Sequence, residues 1–371
     1  MQQYLTLLKE TIPGITTEDL FAPRNESGLH SLDSIVIRGA LETHFGFEIP
    51  DEAWYRFGSL SDTLKYCHEQ KALVETVAPR ISCSRSTEIR LPQMANRALS
   101  ENWLLKEIGD MHWEMLSKGL EQKSSEFADR YGNRLYAAFA RVNYAISPLN
   151  QFKENQLLDM EGQISRFSNC AYYSNINGNS GEHSFKAELM SSFSARKENN
   201  NAKMMNEQPK RSVNHIGELS ECPEFYMDHR KLNKGKADEV FAGGYHFKIK
   251  DTVMEELEYD IDPGMDVNGV GLLYFAAYPM IADRCASVFF RHTMNMKNYD
   301  LCYHTIFRDV FYFANCNPED RVIVKLNSVE HMDHNKLKMT ASLYRESDNK
   351  LMARVLTVKQ RWDSKACGCG E

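Results

Sequence analysis

The sequence has no excess of basic residues and no long hydrophobic run. Its 371 residues include 44 Lys and Arg against 51 Asp and Glu, a formal net charge of −7. A nucleic-acid-binding surface normally carries a basic excess, so nucleic acid is not expected as a partner. The longest apolar run, about 270–282, contains Pro279 and is too short to span a bilayer, so no membrane insertion is expected.

The cysteines do not form the pattern of a disulfide framework. There are nine, an odd number, scattered along the chain, as is typical of reduced thiols. Cys367 and Cys369 could bind a soft metal, but no second ligand cluster accompanies them, and we expect no metal site. The opening MQQYLTLLKE has no long apolar core. It therefore predicts no secretory signal, and a cytoplasmic location is expected.

Almost all of the negative charge lies in the first fifth of the chain. Residues 1–76 hold 6 Lys and Arg against 12 Asp and Glu, a balance of −6. Their pattern predicts short helices joined by turns, near 2–11, after Ser34 and near 61–71. Ser34 follows Asp33 at the predicted start of an apolar helix, where the pair alone could be only a helix cap.

From Glu88 onward the pattern changes to strand-like runs that follow helical segments. A polar stretch predicts a linker, and an Asn-rich stretch at 197–212 predicts a second linker or long loop because it is too polar to pack. The predicted organisation is a helical domain at 1–76, a linker at 77–87, a first repeat at 88–205, a linker or long loop at 206–240, a second repeat at 241–363 and a tail at 364–371.

The two repeats share a pattern more than identical residues. Asn102 and Asn268 each precede a predicted apolar helix. Downstream, each repeat has two segments that we predict as adjacent antiparallel strands. The paired segments are 156–167 with 185–197, and 320–331 with 337–348.

The second of these helices decides the predicted architecture. The segment GVGLLYFAAYPMI is apolar on every side, so as a helix it must be buried all round. A curved antiparallel sheet wrapped around a central helix provides that burial. We therefore predict an α+β protein, in which a small helical bundle precedes a double hot-dog of two antiparallel sheets, each wrapping a central helix.

The first 76 residues resemble an acyl carrier protein. The matching segments are EDLF (18–21), LHSLDSI (29–35), ALETHFGFEIPDE (40–52) and SLSDTLKYC (59–67). The resemblance implies that a phosphopantetheinyl transferase attaches 4′-phosphopantetheine covalently to Ser34. The positive end of a helix would favour the phosphate of that group.

About residues 87–363 resemble the bifunctional acyltransferase/decarboxylase of leinamycin-type polyketide biosynthesis, a double hot-dog protein. The matching segments are STEIRLPQM, LSENWLLKEIGDMHWEML, GNRLYAAFARV, DVNGVGLLYFAAYPMI and FRDVFYFANC. The resemblance implies decarboxylation of a malonyl-type CoA thioester, methylmalonyl-CoA in that family, and transfer of the propionyl group to a carrier domain. It also implies an acyl-CoA substrate and a downstream polyketide synthase or HMG-synthase-type enzyme as partner; a homodimer could form.

The tyrosine proposed to carry the acyl group in that family maps onto Tyr136 through RLYAAFARV. A phenol is a poor nucleophile at neutral pH, and a nearby cation would help by stabilising the phenolate. Arg134 lies two positions earlier on the presumed strand, hence on the same face. Tyr136 could be acylated, or it could only position the thioester.

Loss of carbon dioxide leaves an enolate, which needs hydrogen-bond donors at the thioester oxygen. The helix starts at Asn102 and Asn268 are candidates, although either residue could be only a cap. His112 could donate to the thioester or protonate the enolate, or it could be a satisfied buried histidine. Arg308 could contact the coenzyme A phosphates or pair with Asp309 on the sheet edge.

Three other functions compete with this interpretation. DVNGV (266–270) resembles the helix start of hot-dog thioesterases, with Asp266 as a possible base, but Val270 stands where those enzymes have histidine. A polyketide dehydratase is disfavoured because HWEMLSKGL lacks the His, Gly and Pro spacing of that family. The last alternative is a carrier domain fused to a non-catalytic hot-dog that binds acyl chains or a partner.

Overall fold

A computed structural model of the chain describes residues 8, 15–23, 31–47, 49–77, 81–167, 171–211, 213, 215–219 and 223–362. The chain divides into two compact units, Met1–Pro79 and Arg80–Glu371. The described part of the first unit is helical, and the second unit is built on a large antiparallel sheet. The predicted α+β class is therefore confirmed. No helix in the described ranges is long and apolar enough to cross a membrane.

The first unit has four helices in its described part: α1 (Thr17–Phe21), α2 (Ser31–Phe45), α3 (Asp51–Arg56) and α4 (Leu60–Val77). The helix predicted near 2–11 lies outside the described residues, apart from Leu8. Helix α2 begins at Ser31, so Ser34 is its fourth residue and lies in the first turn with Asp33. Arg38 binds Glu42 within α2 and also Asp51 at the start of α3, which ties the two helices together.

The second unit alternates helices with long strands. Its helices are α5 (Glu101–Leu120), α6 (Glu224–Asn233), α7 (Ala277–His292) and α8 (Tyr299–Cys302), with short 3-10 helices at Leu91–Gln93, Ser124–Glu126 and Leu149–Gln151. Its strands are β1 (Ile81–Glu88), β2 (Met94–Ala95), β3 (Ala98–Leu99), β4 (Leu135–Ile146), β5 (Leu157–Phe167), β6 (Ala171–Ser180), β7 (His183–Lys197), β8 (Asn200–Asn206), β9 (Glu239–Ala242), β10 (Tyr245–Lys248), β11 (Glu255–Asp260), β12 (Tyr303–Tyr312), β13 (Arg321–Met332), β14 (Lys336–Arg345) and β15 (Lys350–Arg361).

The main sheet has 11 strands and repeats one topology about its centre. Its order is β1-β5-β6-β7-β4-β12-β15-β14-β13-β11, and β8 pairs with β7 beside this path. Each half therefore starts with an outer strand that precedes the helix, β1 before α5 and β11 before α7. Within this order four strands follow each helix, and the first of them, β4 or β12, lies at the centre. The shared order gives the sequence repeat a structural counterpart.

Helix α5 shows how the local sequence sets these elements. The side chain of Ser100 accepts a hydrogen bond from the backbone N–H of Trp103 and caps the helix start. Leu104, Ile108 and Met115 recur at helical spacing and are buried. The helix ends at Leu120 and is capped by Glu121, whose φ of 51° is left-handed. These features place the helix over the sheet with its apolar side in the core.

Three polar segments form more regular structure than their composition predicts. The segment 77–87, expected as a linker, contains most of β1, which pairs with β5 along its length. The Asn-rich stretch at 197–212 contains the edge strand β8. The segment 206–240, expected as a linker or long loop, contains α6. Strand β6, which the prediction missed, separates 156–167 from 185–197, so these two are not adjacent.

The second helix starts later than predicted. Helix α7 begins at Ala277, and Asn268 lies nine residues earlier in a turn where Val267 bridges to Leu273. Asn102, by contrast, is the second residue of α5. The two asparagines are therefore not equivalent helix starts, and the apolar run after Asn268 divides between an extended loop and the helix.

The two central strands pair over only part of their length. Strand β12 pairs with residues 141–145 of β4, and this pairing does not extend to residues 135–140. On its other side, β4 pairs with β7 along its whole length. Residues 135–140 therefore form an open edge in the middle of the sheet, which is where a ligand can approach the backbone and side chains.

Candidate active site

A cavity of about 670 Å³ lies along this open edge of β4 in the second unit. Its walls come from β4 and β7, from helix α6, and from the loop 268–275 that precedes α7. Phe139, Phe275 and Tyr312 give it an apolar inner wall, with Phe139 and Phe275 ring centroids 4.4 Å apart. Ala138 and Ala140 also line it, and their small side chains leave room above the strand. The volume suits a ligand of cofactor size.

Tyr136 lines this cavity and is half-buried. Two guanidinium groups lie near its ring, that of Arg134 at 5.5 Å and that of Arg196 at 5.3 Å from the centroid. Arg134 is exposed and also lines the cavity. Both distances are within the range of cation–π contacts. The structure thus brings Tyr136 and Arg134 together, and adds Arg196, which the sequence analysis did not find.

Asn268 also lines the cavity, but it acts within a turn and not at a helix start. Its Oδ1 accepts hydrogen bonds from the backbone N–H groups of Val270, at 3.1 Å, and Leu272, at 3.0 Å. The amide Nδ2 is then the side-chain group left to donate to a ligand. Gly269, next to it, also lines the cavity and has open space where a Cβ would lie.

Neighbouring strands hold the 268–275 loop in place. Arg196 Nη2 donates to the carbonyl of Val270 at 2.7 Å, and Asn201 Nδ2 donates to that of Gly271 at 2.6 Å. Asn315 donates to the Leu273 carbonyl and accepts from its N–H. Arg196 Nε is buried without a hydrogen-bond partner among the described residues. Arg196 therefore links the loop to Tyr136.

Asp266, the possible thioesterase base, is hydrogen-bonded to residues of its own segment. Its Oδ2 accepts from the Tyr259 hydroxyl at 2.8 Å and from the Asp262 N–H at 2.9 Å. The residue is 7% exposed and is not among the described residues that line the cavity. In this arrangement the carboxylate stabilises the loop and does not face the ligand space.

Asn102 and Arg308 lie away from the cavity lining. Ser100, and not Asn102, caps helix α5. Arg308 is fully buried on the central strand β12, so the expected edge position is wrong, and it does not pair with Asp309. Its guanidinium binds Glu101 of α5 and Asp283 of α7 at 2.8 and 2.9 Å, which leaves it inaccessible to coenzyme A phosphates.

His112 is fully buried in α5 and is not among the described cavity-lining residues. Nδ1 lies 2.7 Å from Ser174 Oγ, and Nε2 lies 2.7 Å from Ser191 Oγ. Burial lowers the pKa of His112 to about 3. The imidazole is therefore neutral in the folded protein and links α5 to strands β6 and β7.

The burial of His112 should make the second unit less stable in mild acid. In the unfolded chain His112 takes up a proton below its ordinary pKa of 6.5. In the folded chain it does so only near pH 3. The stability contribution is thus complete above pH 6.5 and is lost as the pH falls. Between pH 7 and 5 we expect His112 to account for about 2 kcal/mol of lost unfolding free energy. Urea unfolding of the wild type and of His112→Leu at pH 7 and at pH 5 measures this loss of unfolding free energy.

The matched control is His246→Leu, because His246 is an exposed histidine on β10 whose Nε2 pairs with Glu239. We expect His246→Leu to keep the wild-type acid sensitivity and His112→Leu to lose part of it. An equal drop between pH 7 and 5 in wild type and His112→Leu would show that His112 is not the group responsible.

His229 of α6 is a cavity-lining residue that the sequence analysis missed. It is half-buried, and its ring stacks near Phe313 with centroids 5.3 Å apart. Its segment was expected to be a linker, although Phe225 and Leu232, seven residues apart on one side of α6, are both buried. That spacing was the available signal for an amphipathic helix. Within the described ranges, no group of three His, Cys, Asp or Glu side chains could hold a metal ion.

The comparisons assign the first unit. Residues 10–67 match the family model described as a phosphopantetheine attachment site. The chain therefore has an acyl carrier domain, with 4′-phosphopantetheine as its covalent group. The position of Ser34 in the first turn of a 15-residue helix fits such a group, because a helix start favours a phosphate. The Ser34 side chain itself lies outside the described residues.

Solved structures show the fold of the second unit. A putative oleoyl thioesterase from Lactobacillus plantarum aligns with a TM-score of 0.53 at 10% identity, covering 76% of this chain and 95% of that one. The 12:0-ACP thioesterase from Umbellularia californica aligns with a TM-score of 0.49 at 12% identity, covering 76% and 98%. The first likeness supports a hot-dog fold. Comparison with curated protein sequences finds no match.

Proposed function

We propose that the chain decarboxylates a malonyl-type CoA thioester, with methylmalonyl-CoA as the expected donor, and transfers the resulting acyl group to the phosphopantetheine of its carrier domain. The hot-dog unit would act as a double hot-dog of the leinamycin-type acyltransferase/decarboxylase family, which the sequence resembles. The observation that carries the proposal is Tyr136, in a cavity of about 670 Å³ with two guanidinium groups near its ring.

In this proposal Tyr136 takes the acyl group or holds the thioester, and Arg134 and Arg196 lie beside its ring. Asn268 Nδ2 donates to the thioester oxygen, where negative charge develops when carbon dioxide leaves. The apolar wall of Phe139, Phe275 and Tyr312 surrounds a carboxylate that loses its charge, which favours its departure.

Ser34 is the proposed attachment residue, and the group attached there supplies a thiol that accepts the acyl group. Because donor and acceptor chemistry belong to one chain, transfer would benefit from a high effective concentration. A malonyl and a methylmalonyl donor differ by one methyl, which changes binding by only about 1–3 kcal/mol.

Thioester hydrolysis is the main competing function, since proteins named as thioesterases share the fold. The residues of the DVNGV segment argue against it. The DVNGV segment resembles the helix start of hot-dog thioesterases, but it has Val270 at the position where those enzymes have histidine. Asp266 is held by Tyr259 and by the Asp262 N–H and is absent from the described cavity lining.

The proposal is tested by intact-mass analysis of the pantetheinylated chain after incubation with methylmalonyl-CoA. We expect an adduct with the mass of propionyl, one carbon dioxide lighter than methylmalonyl, which peptide mapping places on the phosphopantetheine of Ser34 and which is absent from that peptide in Ser34→Ala. A retained methylmalonyl adduct would remove the decarboxylase step. Release of free acid without loading would favour a thioesterase, and an unchanged chain with intact substrate would favour an acyl-binding module.

A further inference from the structure

The hydrogen bond of His229 fixes which of its nitrogens carries the proton. Nε2 lies 2.9 Å from the backbone carbonyl oxygen of Tyr312. A carbonyl oxygen can only accept, so Nε2 is the protonated nitrogen and donates. The ring is further held by stacking near Phe311 and Phe313, at centroid distances of 6.4 and 5.3 Å. The tautomer and the ring orientation are therefore both set by β12 and the residue after it.

The other nitrogen, Nδ1, then has a free lone pair when the ring is neutral. Among the described residues Nδ1 has no hydrogen-bond partner, and it is not one of the buried unpaired atoms, so solvent reaches it. His229 lines the same cavity as Tyr136, with Ala138 and Ala140 also on its walls. The side chain that carries this basic nitrogen therefore borders the space proposed for the thioester.

Burial, more than the charges around it, holds the pKa of His229 below its ordinary value. Burial lowers the pKa of His229, the bond to the Tyr312 carbonyl and the charge of Asp309 act to raise it, and Arg141 lowers it further. Arg141 and Asp309 bind each other at 2.7 Å, and Asp228 of α6 pairs with Arg141 at 3.3 Å. The net result is a pKa below the ordinary value, so the base is available without a rise in pH.

We propose that Nδ1 of His229 is the general base that removes the proton from the pantetheine thiol as that sulfur attacks the acyl carbon. The inference rests on the proposed function for the identity of the thiol. The S–H bond breaks and its proton moves to Nδ1, while the sulfur forms a bond to the acyl carbon. The bond from that carbon to the leaving atom, a coenzyme A sulfur or the Tyr136 oxygen, breaks, and His229 returns the proton to the leaving atom.

The test is acyl exchange between propionyl-CoA and free pantetheine, catalysed by Ser34→Ala so that no attached thiol takes part. This exchange requires no decarboxylation. In His229→Gln, the amide can still donate to the Tyr312 carbonyl but cannot take up a proton. We expect the exchange rate to fall by about 10²- to 10⁴-fold. The control is His246→Gln, outside the cavity, which we expect to exchange at the rate of the parent.

Thiol acidity and pH separate a base from a structural residue. With a thiophenol acceptor, already ionised at neutral pH, His229→Gln should lose less than about 10-fold in rate, because no proton remains to be removed. With pantetheine, exchange by the parent should level off above the pKa of His229, whereas exchange by the variant, which depends on free thiolate, should keep rising as the pH rises. An equal loss with both thiols, a rate with pantetheine like that of the parent, or no exchange by the parent would each overturn the inference.

Decarboxylation is followed separately as carbon dioxide released from methylmalonyl-CoA. Absence of that release, with exchange intact and dependent on His229, would reject the proposed function as a decarboxylase and leave the base assignment standing. Release of carbon dioxide with exchange independent of His229 would reject the base assignment and leave the proposed decarboxylase function standing. The two outcomes are therefore distinguishable.

Discussion

Tyr136→Phe should lower the rate of acyl loading onto the carrier domain by roughly 10³-fold, because it removes the nucleophile. The fold should be unaffected. Tyr136 is half-buried, and within the described part of the chain its hydroxyl has no hydrogen-bond partner that would be left unsatisfied. The measurement is the time course of the propionyl adduct by intact mass. A variant that loads at the wild-type rate would exclude a covalent role for Tyr136.

Tyr344→Phe is the matched control for this loss. Tyr344 is also a half-buried strand tyrosine with a cation near its ring, Lys325 Nζ at 5.1 Å from the centroid. It lies on β14 and is not among the described cavity-lining residues. Its variant should load normally, so a comparable loss in both variants would point to general damage.

Acylation and positioning by Tyr136 differ in what accumulates when no acceptor is present. In Ser34→Ala, a single turnover with methylmalonyl-CoA should leave the propionyl group on the chain, and peptide mapping should place it on Tyr136. If carbon dioxide is released while the chain stays unmodified, Tyr136 only positions the thioester. In that case Tyr136→Phe should raise KM or lower kcat without abolishing exchange between thiols.

The strand that carries Tyr136 was predictable because its sequence contains residues that favour strands. RLYAAFARVNYAI contains two Tyr, one Phe, one Val and one Ile, which favour strands, and all but its first residue form one of the longest described strands. The loop after Asn268 was not predictable in the same way. An apolar run can be a buried helix or an apolar loop over a cavity, and hydrophobicity alone does not separate the two.

The roles of Arg196 and His229 could not be predicted from the sequence for a different reason. Each acts through a contact to a residue distant in the chain, Arg196 to the Val270 carbonyl and His229 to the Tyr312 carbonyl. Neither contact leaves a local spacing pattern. Strand β8 was missed because a polar edge strand has the composition of a loop, since exposed edges are commonly protected by polar side chains. Because their sequences are polar, neither strand β8 nor helix α6 was predicted, although both contribute residues to the cavity wall.

Arg308→Met should destabilise the second unit by about 3–5 kcal/mol, because it removes a fully buried counter-ion from two partly buried carboxylates. Arg308 joins Glu101 of α5 to Asp283 of α7, and Lys359 also binds Asp283, at 2.8 Å. Burial alone would raise the pKa of Asp283, but Arg308 and Lys359 outweigh it and hold that pKa below its usual range. Urea unfolding of the variant measures the loss.

The control for this loss is Arg321→Met. Arg321 also binds carboxylates of other segments, Asp260 at 2.8 Å and Glu258 at 3.1 Å, but its side chain is 40% exposed. Exposed pairs are worth less than about 1 kcal/mol because water and salt screen them. Equal losses in the two variants would show that burial does not set the strength of the Arg308 cluster.

A double-mutant cycle then tests whether Arg308 acts by joining the two halves of the sheet. Glu101→Gln keeps the shape of the side chain at the start of α5 and removes its charge. If the ion pair couples the halves, the two substitutions should be non-additive by about 0.5–3 kcal/mol. Arg308 lies on β12, which with β4 forms the centre where the cavity opens. Additive losses would mean that the two residues contribute independently, and the cavity geometry would then depend on the strand pairing alone.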